Sequence, residues 1–260
     1  MELLKIENLS FTYPKATQKA LDEVSLSLER GSFSLLCGRS GCGKSTLLRL
    51  IKRELAPYGE KSGAIFYCGA ALEALEPRIS AGEIGFVAQN PEEQIVTDKV
   101  WHELAFGLEN LGVEQLDIRR RVGEMASYFG IQDWYHRDTD ALSGGQKQLL
   151  NLAAVMAMQP KLLLLDEPFS ALDYQTRLSV CDDIYEIIKR EEKTAILVTH
   201  DLSEAISAAD EVLVLTSRPG RIRKKVPIHF DMEERTPMGA RSAPEFQSYF
   251  NLIWQELHSH

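Results

Sequence analysis

Apolar and polar positions alternate along this chain in two rhythms, and each predicts a different kind of element. Near the start, "LLKIENLSFTY" and "LDEVSLSLERG" alternate with a period of two across a turn-rich "PKATQK", the pattern of antiparallel strands with one buried face. Further on, the apolar residues come in short unbroken runs: "SFSLLCG", "EIGFVAQ", "KLLLLDE", "TAILVTH" and "EVLVLTS". Runs of this length, separated by segments with helical spacing, predict the buried strands of an α/β sheet. The polar stretch from about Glu92 to Arg137 breaks the rhythm with helical patterns such as "KVWHELAFGLENL" and "LDIRRRVGEMASYFGI". We read it as the main part of a helical lobe, about residues 92–158, inserted into the α/β core.

The last segment, "SAPEFQSYFNLIWQELHSH", places Ser242 three residues before Glu245 with Pro244 between them, which predicts a capping box. Phe246, Tyr249, Phe250, Ile253 and Leu257 then share one helical face. The expected organisation is a main domain over residues 1–230 and a tail over 231–260 whose helix, about 243–257, docks on that domain.

Composition narrows the classes. The 260 residues are 44% hydrophobic and 26% charged, ordinary values for a soluble globular chain, and no apolar run approaches the roughly 20 residues of a transmembrane helix. A net charge of −9 argues against a nucleic-acid partner. The local basic run "RPGRIRKKV" reads as a hairpin turn at Arg218 and Gly220, with Arg221, Arg223 and Lys225 alternating onto the solvent side of an edge strand. The opening "MELLKIENLSFTYP" lacks the basic and apolar regions of a secretion signal, so a cytoplasmic protein is expected. Cys37, Cys42, Cys68 and Cys181 form no CxxC pair and have no His at ligand spacing, which predicts free, mostly buried thiols rather than a zinc site or a disulfide framework.

The candidate chemistry begins at "GRSGCGKST", which fits GxxxxGK[ST] between the strand "FSLLC" and the helical "TLLRLIKREL". Its glycines let backbone N–H groups turn toward phosphate oxygens at a helix N-terminus. Lys44 adds a point charge, Ser45 a hydroxyl for Mg²⁺, and Thr46 lies in the first helical turn. The run "KLLLLDEP" delivers Asp166 toward the metal and Glu167 as base or orienter of the attacking water. In "LSGGQKQLLNLAAVMA", Ser143, Gly144 and Gly145 precede an amphipathic helix, a second potential anion site that a second copy of the chain could complete. His200 follows the strand "TAILVT" and projects at the strand C-termini, where ligands collect in α/β folds.

With these motifs in hand, essentially the whole chain resembles the ATP-binding subunit of ATP-binding cassette (ABC) transporters. The resemblance implies a P-loop NTPase with a RecA-like core, an N-terminal antiparallel β-subdomain and an inserted α-helical subdomain. It implies ATP and Mg²⁺ as ligands, and these roles. Tyr13 stacks on adenine. Gly38, Arg39, Ser40, Gly41, Cys42, Gly43, Lys44, Ser45 and Thr46 form the Walker A loop, and Gln89 reaches Mg²⁺ and the attacking water. Ser143, Gly144, Gly145 and Gln146 contact the γ-phosphate held by the opposite subunit. Asp166 and Glu167 are the Walker B acid and the catalytic glutamate; Asp173 lies in the loop crossing the dimer interface, and His200 is the switch histidine.

Two subunits, identical or paralogous, are then expected to close head to tail around two ATP molecules on the cytoplasmic face of the membrane, attached to separate permease subunits. Val96, Val100, Trp101, Leu104 and Phe106 are candidates for the docking groove after Gln89 or its support, Trp101 and Phe106 being equally readable as lobe core. The segments "QNPEEQIVTDKVWHELAFGLENLG" and "ALSGGQKQLLNLAAVMAMQPKLLLLDEP" are similar to ATPases of energy-coupling-factor importers for vitamins and metal ions. From about Asp173 onward the chain is more similar to ATPases of nitrate, sulfonate and taurine importers. An exporter, or an ABC ATPase of DNA repair or translation, is the alternative.

Overall fold

The computed structural model describes residues 2–232 and 235–258. They fall into two compact units: the first joins residues up to Leu75 with those from Cys181 onward, and the second is Glu76–Val180.

In chain order, the first unit opens with β1 (Glu2–Thr12), β2 (Leu21–Glu29), β3 (Phe33–Cys37), α1 (Lys44–Ile51), β4 (Glu60–Tyr67) and β5 (Ala70–Ala71). The second unit follows with α2 (Pro77–Glu83), β6 (Ile84–Val87), α3 (Val100–Asn110), α4 (Gln115–Tyr128), α5 (Gly144–Ala157) and β7 (Leu162–Asp166). The chain returns to the first unit within α6 (Tyr174–Arg190), continuing through β8 (Thr194–Val198), α7 (Leu202–Ala208), β9 (Glu211–Leu215), β10 (Ile222–Pro227), α8 (Pro237–Arg241) and α9 (Pro244–His258).

The two rhythms of the sequence become two kinds of sheet. β2, β1, β4 and β5 lie in that order and pair antiparallel, with Leu4, Ile6, Leu9, Val24 and Leu28 buried. In β3, β8 and β9 every residue is buried, as unbroken apolar runs require. β3 pairs parallel with both β8 and β9, while β10 closes the edge antiparallel to β9. In the second unit β6 and β7 pair parallel, Val87 opposite Leu165, and α3 packs on α4 and α5.

One expectation needs correction. Ser242 does not open the last helix: it is the C-terminal cap of α8, whose own start is fixed by Thr236, its hydroxyl accepting from Gly239 N at 3.1 Å. The Thr236-Pro237 pair nucleates a turn just upstream, so Ser242 is already committed when α9 begins at Pro244. On α9 Ile253 is fully buried and Phe246, Tyr249, Phe250 and Leu257 are half-buried. Phe246, Phe250, Trp254 and His258 also stack four residues apart along one stripe. The cysteines are free and mostly buried, as expected: Cys37, Cys42 and Cys181 are buried and Cys68 is exposed.

Candidate functional site

β3 ends at Cys37 and α1 begins at Lys44; the six residues between them make the phosphate loop. Gly41 and Gly43 turn through the left-handed region at φ 77° and 107°, conformations that side chains resist, so the loop folds back over the N-terminus of α1. The Lys44 side chain is buried within this loop, its Nζ donating to Gly38 O at 2.8 Å and Arg39 O at 3.2 Å. Cys42 is buried, and a Cβ on Gly38 would stand 2.7 Å from its Sγ. Burial pushes the Cys37 thiol up to about 12 and raises that of Cys42.

Around the loop, the Tyr13 hydroxyl and Thr46 Oγ1 lie 3.0 Å apart, and the Tyr13 ring packs edge-on against Phe11. The β9–β10 turn presses from another side: a Cβ on Gly220 would lie 2.2 Å from Cys42 O. Arg39 Nε donates to Leu257 O of α9 at 3.3 Å.

His200 leaves the C-terminal end of β8, beside β3, so it emerges at the sheet edge that carries the phosphate loop. Its turn is held on both sides. Thr199 Oγ1 accepts from Asp201 N at 3.1 Å, and Asp201 Oδ1 accepts from Ser203 N at 2.8 Å as α7 begins.

In the second unit, the parallel pairing of β6 and β7 brings their C-terminal ends together. Asp166 is buried at the end of β7 and Glu167 follows it. Glu167 sits at φ 47°, a conformation uncommon for a residue with a side chain and frequent at reactive sites. Gln89, two residues past β6, donates from Nε2 to Glu167 Oε2 at 3.1 Å. Asp173 starts α6: Oδ1 accepts from Gln175 N and Thr176 N, and Oδ2 from Thr176 Oγ1 at 2.6 Å, bonds to the anion that hold its carboxyl below the usual range.

The "LSGGQ" segment closes on itself, as the Ser-to-Gln spacing of three residues allows. Ser143 Oγ accepts from Gln146 N, and Gln146 Oε1 accepts from Ser143 N at 2.9 Å, a capping box that makes Ser143 the N-cap of α5. Gly145 lies close to Ala171 O, 3.4 Å from where its Cβ would be.

Of the docking candidates, Val100 and Leu104 are buried lobe core. Val96 is 63% exposed and Trp101 and Phe106 are each 39% exposed, so these three present apolar surface. The loop holding Val96 is tied down by a residue that periodicity concealed: buried Glu103, whose Oε2 accepts from Val96 N and Thr97 N at 3.1 and 2.9 Å. The basic run is consumed by ion pairs: Arg221 with Asp22, Arg223 and Lys224 with Glu256, and Lys225 with Glu211.

The donor sets suit a magnesium nucleotide. The narrow glycine cradle leads to backbone N–H groups at the start of α1, where polyphosphate is favoured. Ser45 in the first unit, and Gln89 and Asp166 in the second, each carry an oxygen suited to a hard cation. Among the described residues no group of three His, Cys, Asp or Glu could hold a metal. No helix of the described residues is long and apolar enough to cross a membrane.

The family model described as "ABC transporter" matches residues 21–170. An ABC transporter ATP-binding protein of Bacillus cereus is 46% identical over 218 residues, 84% of this chain; the chain spans only 39% of that relative's length. The "uncharacterized ABC transporter ATP-binding protein YtlC" of Bacillus subtilis is 33% identical over 261 residues, covering 100% of this chain and 97% of YtlC. The energy-coupling factor transporter ATP-binding protein EcfA of Pediococcus pentosaceus is 40% identical over 214 residues, covering 82% and 75% of the two chains. Among solved structures, cbiO1 from Clostridium perfringens, described as part of the ABC transporter complex cbiONQ, superposes with a TM-score of 0.76 at 28% identity over 96% of this chain and 95% of its own. With the glycine loop after β3, the acidic end of β7 and a capped "LSGGQ" helix, this chain belongs to the ABC transporter family.

Proposed function

We propose that this chain binds and hydrolyses ATP as the motor subunit of an ABC importer, working at the cytoplasmic face of a membrane through separate permease subunits. The observation that carries the reading is the Gln89–Glu167 hydrogen bond at the adjoining ends of β6 and β7. It joins a carboxamide able to meet a metal or a water to a carboxylate able to take a proton from that water. Glu167 is the base or orienter of the attacking water, and Lys44 and His200 stabilise charge on the transferring phosphoryl group. Ser45, Asp166 and Gln89 would hold Mg²⁺, which supplies neutralising charge at the phosphate oxygens. Tyr13 packs on the adenine, and the Walker A residues from Gly38 to Thr46 bind the phosphates.

Ser143, Gly144, Gly145 and Gln146 face the nucleotide of a second cassette, with Asp173 near the shared boundary, so that ATP closes the pair and phosphate release reopens it. Exposed Val96, Trp101 and Phe106 form the surface that meets the permease. Likeness to EcfA and cbiO1 supports the importer reading, with a vitamin, a metal ion or a small anion such as a sulfonate as the solute class. The cassette corresponds to residues 1–230 with the helical subdomain at about 92–158, and residues 231–260 form a tail.

The test is Glu167→Gln. ATP affinity should persist while kcat falls about 10²- to 10⁴-fold and a dimer accumulates with ATP. Wild-type turnover in this variant would overturn the assignment. Purifying the native complex and identifying its membrane subunit would decide between importer and exporter.

A further inference from the structure

The side of α5 turned toward the Gln89 loop carries two amides where the helix is otherwise apolar. Gln148 is fully buried and Asn151 is 1% exposed, among Leu149, Leu150, Leu152 and Ala153. Standing three residues apart, they share a helix face. Gln148 Nε2 donates to Ala88 O at 3.2 Å, and Asn151 Nδ2 donates to Pro91 O at 3.1 Å. These carbonyls bracket Gln89. The bracket is reinforced by Gln94, whose Oε1 accepts from Ala88 N at 3.0 Å and whose Nε2 donates to Phe86 O at 3.0 Å, and by the Lys147–Glu92 ion pair at 2.8 Å. Ala88 is therefore gripped through both its N–H and its C=O, and the next residue in the chain is Gln89.

Packing alone does not account for these side chains. Gln148 Oε1 and Asn151 Oδ1 are buried with no hydrogen-bond partner among the described residues. A buried, unpartnered amide oxygen costs stability that Leu or Met of similar size would not. What the amides supply in return is the pair of donors that fixes the loop.

We propose that Gln148 and Asn151 are positioning residues for Gln89, holding its loop against α5 so that its carboxamide stands at Glu167. The proposal rests on the reading of Gln89 as a ligand of the metal and the attacking water. Because α5 starts at Ser143, the same rigid helix sets both the "LSGGQ" end and the Gln89 loop.

The experiment measures ATP turnover by the purified full chain with Gln148→Met and Asn151→Leu, each alone and combined with Gln89→Ala, with thermal unfolding as the check on folding. Each single variant should lower kcat about 10- to 100-fold, because small misplacements near a reacting centre are costly. KM for ATP should change little, and more Mg²⁺ should be needed for half-maximal rate. In the Gln89→Ala background the same substitutions should have almost no further effect, the non-additivity expected of residues acting through one another.

Wild-type kcat in both single variants, with Gln89→Ala slow, would overturn this proposal and leave the role of Gln89 standing. An undiminished fold-loss in the Gln89→Ala background would mean a general structural role and overturn it equally. A wild-type rate for Gln89→Ala would remove the reading of Gln89 and this proposal with it. A measurement on the unaltered chain covers the case in which a variant does not fold. Exchange of the Ala88 amide as slow as that of α5 supports the grip, and exchange at the rate of an unstructured loop overturns it.

Discussion

Replacing Gly220 by Ala puts a single methyl group against the phosphate loop. Its Cβ would stand 2.2 Å from Cys42 O, with Leu215 Cδ2 at 3.2 Å and Ala20 O at 3.3 Å. A carbon and a carbonyl oxygen need about 3.2 Å, so one of the two backbones must move by about 1 Å. The hairpin is the less yielding partner. Gly220 N donates to Ala20 O at 3.0 Å, Gly220 O accepts from Asp22 N at 2.9 Å, and Arg221 pairs with Asp22. Cys42 instead lies between two left-handed glycines, Gly41 and Gly43, so the phosphate loop gives way. Overpacking of this kind costs about 1–3 kcal/mol of stability. The displaced N–H groups should weaken ATP binding by about 10- to 100-fold, since 1.4 kcal/mol corresponds to a factor of ten.

Titration with a fluorescent ATP analogue, alongside thermal unfolding, measures both effects. Gly123→Ala is the control: an exposed glycine inside α4 with nothing within 4 Å of its Cβ position, where Ala should add about 0.5–1 kcal/mol to stability and leave ATP affinity unchanged. Wild-type ATP affinity in Gly220→Ala would refute the reasoning.

Further outcomes follow from exposure and burial. Val96→Asp should leave ATP hydrolysis by the isolated chain intact and abolish transport by the reconstituted complex; full transport would remove Val96 from the permease surface. At pH 8 a thiol reagent should label Cys68 alone in the native chain, and unfolding should release the other three. The sign follows from burial, which disfavours the thiolate. With Cys37 and Cys181 both pushed up to about 12 and Cys42 also raised, the thiol form dominates in all three even at pH 9, so their native labelling should stay far slower than that of Cys68, and rapid native labelling of Cys42 would contradict the buried loop.

What the sequence made legible was regular or local. Unbroken apolar runs reported β3, β7, β8 and β9, and fixed spacings reported the glycine loop between β3 and α1, the acids at the end of β7 and the turn that opens α5, because each of these is set by neighbours along the chain. What stayed hidden depends on partners far along the chain. Gln148 and Asn151 look like polar interruptions of a helix until Ala88 and Pro91, 60 residues earlier, are placed beside them. Gly220 looks like an ordinary turn residue until Cys42 O is found against it. Glu103 reads as a solvent-facing acid in a helical pattern, although it is buried around two backbone N–H groups. Ser242 was misread because two helix signals, Thr236-Pro237 and Ser242-Glu245, compete within a few residues, and the first takes the serine as its end.

The capping box at Ser143 sets the terms on which an anion could arrive at α5. The N–H groups of Ser143 and Gln146 already donate to Gln146 Oε1 and Ser143 Oγ, so a phosphate oxygen that takes either of these two donors swaps partners. Such an exchange yields a small net free energy from individually strong contacts. An anion held on those terms would come and go readily, as in a clutch rather than a lock.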